Sequence, residues 1–194
     1  MDAVPLKLVV GLGNPGAEHE RQRHNAGFAF VDALAARLGA TFHYEPRHQA
    51  DLARARIADA EVWLAKPMTY MNCSGGPLAS IAGYYKIGPG EILVAYDELD
   101  FPPGDARLKF GGGHGGHNGM RDILANNAQQ FWRLRVGIGH PGDRNKVLHY
   151  VLGRPSKADE ELIGVAIAAA ADAVPMMMQQ GAQRAIQALH GRPV

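Results

Sequence analysis

"LKLVVGLGNPG", residues 6–16, is a short apolar run that stops at a turn. An apolar run of this length, closed by Gly, Asn and Pro, reads as a buried strand. The turn matches G-x-G-x-x-G at 11–16, the fingerprint of a dinucleotide-binding unit. That unit needs a helix that opens inside the motif, with its N-terminus on a pyrophosphate. Here "NPG" makes a turn, and "AEHERQRH" (17–24) is polar and aperiodic before any helix can begin. The acidic residue that should close a second strand is also missing. Asp32 has nearly the right spacing but sits inside a helical pattern. The motif therefore reads as a tight turn that aims Asn14 into a crevice. A nucleotide-binding module or oxidoreductase stands as the second function class.

Working outward, Asn25 is placed to cap a helix through "AGFAFVDALAARL", which stops at Gly39. "DLARARIA" (51–58) and "EVWLAKP" (61–67) suggest a hairpin, and "GPLASIAGYYKI" (76–87) a helix. "EILVAY" (91–96) is another buried strand, and "ARLKF" (106–110) alternates into a glycine loop. A short helix is expected over 119–128 and a strand over 131–139. "SKAD" (156–159) fits a capping box before a long helix that Pro175 should interrupt, and a last helix runs to about His190. Strands alternating with helices predict a single α/β domain over 1–194, a mixed, largely parallel twisted sheet flanked by helices. At 194 residues, such a domain buries roughly 70% of its unfolded surface.

The net charge of +1 predicts no partner by itself, though a local cationic groove fits inside a neutral total. A single cysteine, Cys73, rules out an internal disulfide framework and fits a reducing compartment. With no signal peptide or membrane span expected, the default is a cytoplasmic soluble protein.

The polar clusters "GNPG", "TYMN", "DELD" and "KFGGGHGGHNG" each follow a strand. In open α/β sheets ligands sit outside the carboxyl ends of the strands. Parallel strands would bring these clusters to one crevice, and an antiparallel one would spoil part of it. His24 lies at a helix start, where the dipole disfavours imidazolium and keeps a general base neutral. Asp97, at a strand end, is the best-placed carboxylate to orient it. Asp97, Glu98 and Asp100 offer Mg²⁺ ligands, but no further acidic cluster joins them. His114 and His117 are separated by glycines that supply flexibility rather than the fixed geometry zinc needs. The glycines instead allow close backbone approach to a ligand. Cys73 and Ser74 lack a nucleophile elbow and read as a buried thiol and a helix N-cap.

Four stretches, "VVGLGNPGAEHERQRHNAGF", "KPMTYMNCSGG", "AYDELDFPPGDARLKFGGGHGGHNGMRDI" and "FWRLRVGIGHPGDRNKVLHYVLG", together resemble the bacterial peptidyl-tRNA hydrolase family. The resemblance covers most of the chain and is weakest in 40–60 and after 155. It implies a cytoplasmic, monomeric enzyme without metal or cofactor. Such an enzyme cleaves the ester between a peptide and the 3′ end of tRNA and recycles tRNA from aborted translation. His24 would activate water, with Asp97 holding its imidazole. Asn14 would contact the peptide beside the ester and help reject unblocked aminoacyl-tRNA. Tyr70, Asn72 and Asn118 would line the tRNA and peptide site, with Met71 packed beside them. His19 stands where the family usually carries tyrosine, at a tRNA-contact position. Cys73 replaces a usual apolar residue. The family grips the terminal 5′ phosphate of tRNA with basic residues that match Arg107, Lys109 and Arg135.

Overall fold

The computed structural model describes residues 3–127 and 129–192. Seven strands form one sheet in the order β2-β3-β4-β1-β5-β7-β6. The strands are β1 Leu8–Gly11, β2 His43–Glu45, β3 Ala50–Ile57, β4 Ala60–Pro67, β5 Ile92–Glu98, β6 Ala106–Phe110 and β7 Trp132–Gly137. The centre, β4-β1-β5-β7, is parallel, and the two flanks add antiparallel strands. The apolar runs at β1 and β5 are buried on both faces, as parallel strands require. The expected 51–57/60–67 hairpin forms, with Ile57 opposite Ala60 at its turn.

Helices cover both faces. On one side α1 (Ala26–Leu38), α5 (Lys157–Gln180) and α6 (Ala182–His190) pack with Phe30, Leu34, Leu93, Leu134 and Val136. On the other, Met71, Leu78 of α2 (Gly75–Tyr84) and Met120 and Ile123 of α3 (Asn118–Asn126) cover Val10, Val94 and Phe131. The short α4 (Val147–Val151) follows β7. Position 128, the expected end of α3, lies outside the described residues. By length and composition α5 could cross a bilayer. Here its apolar stripe, Ala166, Ile167, Ala170 and Val174, is part of the core.

Four expectations fail for physical reasons. Pro175 does not interrupt α5, whose Val174 and Met177 are buried on either side of it. Tertiary burial overrides the lost hydrogen bond, and the break comes at Gly181 with φ 96°. Asn25 stands at the N-cap of α1 without a side-chain cap, because its amide is used elsewhere. Ser74 stands at the expected N-cap of α2 but likewise without a side-chain cap, since its hydroxyl donates to the Met71 carbonyl at 2.7 Å. Cys73 is exposed rather than buried.

The antiparallel β6 changes the path of the glycine loop. Phe110 pairs with Trp132 at the amino end of β7, so the loop leaves from the end opposite the crevice. It returns across the sheet face to α3. Arg133, buried beneath it, holds the return by donating to the carbonyls of Gly112 and Gly113.

Candidate active site

Glycines set the spacing of this site. A Cβ on Gly11 would strike the Gly27 carbonyl, and one on Gly27 would strike the Ala95 carbonyl. Their absence lets the first turn of α1 sit directly on β1 and β5. Gly11 and Gly13 of "GLGNPG" thus serve contact with α1, which opens only at Ala26. That contact delivers His24, in the 3-10 turn Arg23–Asn25, to the carboxyl end of β5. The turn is tied from behind. The Arg23 N–H donates to the Gly153 carbonyl at 3.0 Å, and the Arg23 guanidinium lies 3.9 Å over the Tyr150 ring.

Asp97 receives two imidazoles. His24 Nδ1 lies 2.8 Å from Oδ2, and His117 Nε2 lies 2.7 Å from Oδ1. His117 is the N-cap of α3, where its Nδ1 accepts from the Met120 N–H at 3.3 Å. Its proton is therefore on Nε2 and points at Asp97. With His24 donating through Nδ1, the lone pair of a neutral His24 ring sits on Nε2. Sequence reading weighed His117 only as a zinc ligand. The signal for its actual place was its position just before the helix that Asn118 opens.

Burial would raise the Asp97 pKa, but the two rings outweigh it and hold the carboxyl well below its usual range. Burial pulls the His24 pKa down, but the charge and hydrogen bond of Asp97 outweigh that, leaving it raised. The carboxylate, not the helix dipole, sets the ring. Glu98, half-buried and beside Asp100, is pushed up to about 7, first by burial. The Mg²⁺ reading of Asp97, Glu98 and Asp100, disfavoured in the sequence, gains no support from the geometry, where both Asp97 oxygens accept from histidine. His24, Asp97 and His117 have the donor types of a metal site. Their ring N–H groups, however, point at the carboxylate and occupy the space a cation would need.

Asn14 is fixed on three atoms. Its N–H donates to Asn25 Oδ1 and its carbonyl accepts from Asn25 Nδ2, both at 2.9 Å. Its Oδ1 accepts from the Met71 N–H at 2.7 Å. That leaves Nδ2 as a donor of fixed direction. Met71 is buried, with Tyr70 and Asn72 exposed beside it, and Gly119 packs on its sulfur. Asn118 is exposed, and its Oδ1 is taken by Arg121 at 3.0 Å. His24, Asp97, Glu98, His117 and Asn118 line a cavity of about 370 Å³. His19 stands apart, bonded to Gln22 at 2.9 Å, with Glu18 at 3.7 Å.

The basic positions lie off this cavity. Register places Arg107 opposite Arg135 and Lys109 opposite Arg133, so the four share one sheet face. Arg107 is paired with Asp105 at 2.9 Å.

The chain is similar to known proteins over nearly its whole length. The family model described as peptidyl-tRNA hydrolase matches residues 8–194. The peptidyl-tRNA hydrolase of Aromatoleum aromaticum is 51% identical over 194 residues, covering 100% of this chain and 98% of that one. That of Stenotrophomonas maltophilia is 52% identical over 186 residues, covering 95% and 97%. The crystal structure of peptidyl-tRNA hydrolase from Acinetobacter baumannii superposes with a TM-score of 0.94 at 43% identity, covering 98% and 97%. A crystal structure of peptidyl-tRNA hydrolase with N-propanol gives 0.95 at 42%, covering both chains fully. The chain belongs to the peptidyl-tRNA hydrolase family, a class of carboxylic ester hydrolases.

Proposed function

We propose that the chain cleaves the peptide–tRNA ester through water activated by His24 and Asp97, as a cytoplasmic monomer that recycles tRNA from aborted translation. The observation that carries the mechanism is the 2.8 Å bond from His24 Nδ1 to Asp97, which leaves Nε2 to accept a proton. In the reaction, Nε2 takes the proton of a water whose oxygen attacks the ester carbonyl. The tetrahedral intermediate collapses, the C–O bond to the tRNA ribose breaks, and the imidazolium returns its proton to that leaving oxygen. The products are a peptide acid and free tRNA. Asp97 stays ionised and stabilises the transient imidazolium. His117 steadies the other carboxylate oxygen.

Asn14 offers its fixed Nδ2–H to a peptide carbonyl beside the ester. Tyr70, Met71, Asn72 and Asn118 shape the acceptor-end and peptide site, with His19 at its margin. Arg107, Lys109 and Arg135 receive the tRNA phosphate.

His24→Ala is expected to lower kcat on N-acetyl-aminoacyl-tRNA by about 10²–10⁴-fold while binding persists. The measurement is release of free tRNA by a folded variant. EDTA is expected to leave wild-type cleavage unchanged. Near-normal turnover by the variant would remove His24 from the reaction.

A further inference from the structure

Arg133 is a buried charge with no part in the chemistry above. It is 1% exposed, and among the described residues it pairs with no carboxylate. A guanidinium taken out of water without a counter-ion is costly unless its donors are well placed. Here two arms of the fork donate to successive carbonyls, Nη1 to Gly113 and Nη2 to Gly112. Two bonds from one rigid plane fix the direction of that backbone, as the single ammonium of a lysine would not.

The backbone has little else to fix it. Residues 112–116 are exposed, and a Cβ on Gly113, Gly115 or Gly116 would meet nothing within 4 Å. Glycine has the largest backbone entropy of any residue, so such a run cannot hold the side chain at its end by itself. At that end stands His117, with Nε2 2.7 Å from Asp97 Oδ1. Arg133 reaches His117 by a second route as well. Val94 of β5 pairs with Arg133, and Tyr96 follows two residues on, toward the same face. Burial raises the Tyr96 pKa, and the neighbouring Arg133 only partly offsets it. The Tyr96 ring meets the His117 ring edge-on, with centroids 5.1 Å apart.

We propose that Arg133 is a positioning residue for the hydrolysis: through the glycine loop and Tyr96 it holds His117 on Asp97, and so holds the carboxylate that orients His24. This rests on the reading of His24 and Asp97 as the water-activating pair. Without the anchor the loop is released and Asp97 loses one of its two donors. The carboxylate then becomes the stronger acceptor for His24 Nδ1–H and favours imidazolium. The base stays protonated to higher pH, and the pair loses a fixed point.

The test is a double-variant cycle on N-acetyl-aminoacyl-tRNA. Arg133→Met is expected to lower kcat by about 10–10²-fold, the scale of a misplaced catalytic group. The acid limb of kcat/KM should move to higher pH, which a loss of stability alone would not cause. His117→Ala should do both. Adding Arg133→Met to His117→Ala should then cost nothing further in kcat, because the route through His117 is already cut. A short peptidyl ester without the tRNA 5′ phosphate should lose as much as the full substrate. Arg133→Lys keeps the charge and loses the fork, so it should lower kcat less, and that loss too should vanish in the His117→Ala background. It carries the cycle if Arg133→Met does not fold. Unchanged kcat, an unmoved limb, losses that multiply in the double variant, or a loss confined to the long substrate overturns the positioning role and leaves the reaction standing. Normal turnover by His24→Ala overturns the reaction and the positioning role with it.

Discussion

At the scale of single residues, one hydrogen bond decides what His24 can do. Its pKa stands above the ordinary imidazole value because Asp97 outweighs the cost of burial. A general base works only when neutral. As pH falls through that raised value the ring takes a proton and activity is lost. The kcat/KM profile should therefore show its acid limb above the ordinary imidazole value. Asp97→Asn removes the charge while keeping an acceptor for Nδ1–H. The remaining influence is burial, so the limb should move to lower pH as kcat falls. Glu98, pushed up to about 7, is the other buried group that could shape an acid limb, so Glu98→Gln is the control and should leave the limb in place. A limb that followed Glu98 and ignored Asp97 would reverse the roles. That His24, Asp97 and Asn14 come to one edge of the sheet was legible in the sequence, because Asp97 lies at a strand end and the other two lie between a strand and the helix that follows it. His117 was not, since its function lies in a cap and a distant carboxylate that no local pattern displays.

At the scale of elements, the position of α1 is set by what two glycines lack. Gly27→Ala gains helix propensity, about 1 kcal/mol. It also drives a Cβ into the Ala95 carbonyl and the Leu12 backbone, which cannot swing aside as a side-chain tip would. Overpacking of this kind costs about 1–3 kcal/mol. A net drop of a few degrees in Tm is expected for a chain of this size. A fall in kcat should accompany it, because His24 moves with the helix and Asp97 does not. Unchanged Tm and kcat would mean that α1 slides freely on the sheet. The parallel strands, the 51–67 hairpin and the helix ends at Gly39 and Ser156 were legible because each is local. The direction of β6 was not, because five alternating residues read the same either way. That reversal is why the glycine loop must cross the sheet over Arg133. Nor could a proline signal predict that α5 would stay helical through Pro175, held by its buried neighbours.

At the scale of the whole molecule, a chain of net charge +1 has to hold a polyanion. Pairing β6 against β7 concentrates what charge there is, putting Arg107, Lys109, Arg133 and Arg135 on one face. They are not equivalent. Arg133 is buried and committed to the glycine-loop carbonyls, and Arg107 shares its charge with Asp105. Among the described residues, no ion pair engages Lys109 or Arg135, so these two have the most to offer a phosphate. Phosphate contacts position a nucleic acid, and their contribution falls steeply as salt rises. Lys109→Ala and Arg135→Ala should each raise KM for full-length peptidyl-tRNA and leave kcat near wild type. Each should also flatten the dependence of log KM on log salt by about one unit per lost contact. A short peptidyl ester without the 5′ phosphate should be cleaved as before, because His24 and Asp97 are untouched. The measurement is kcat/KM on both substrates at two salt concentrations. Equal losses on both would place these side chains in the service of the sheet or the chemistry, and the phosphate contact would be lost from the scheme. Loss on the long substrate alone, fading as salt rises, is what a clamp at the sheet edge produces.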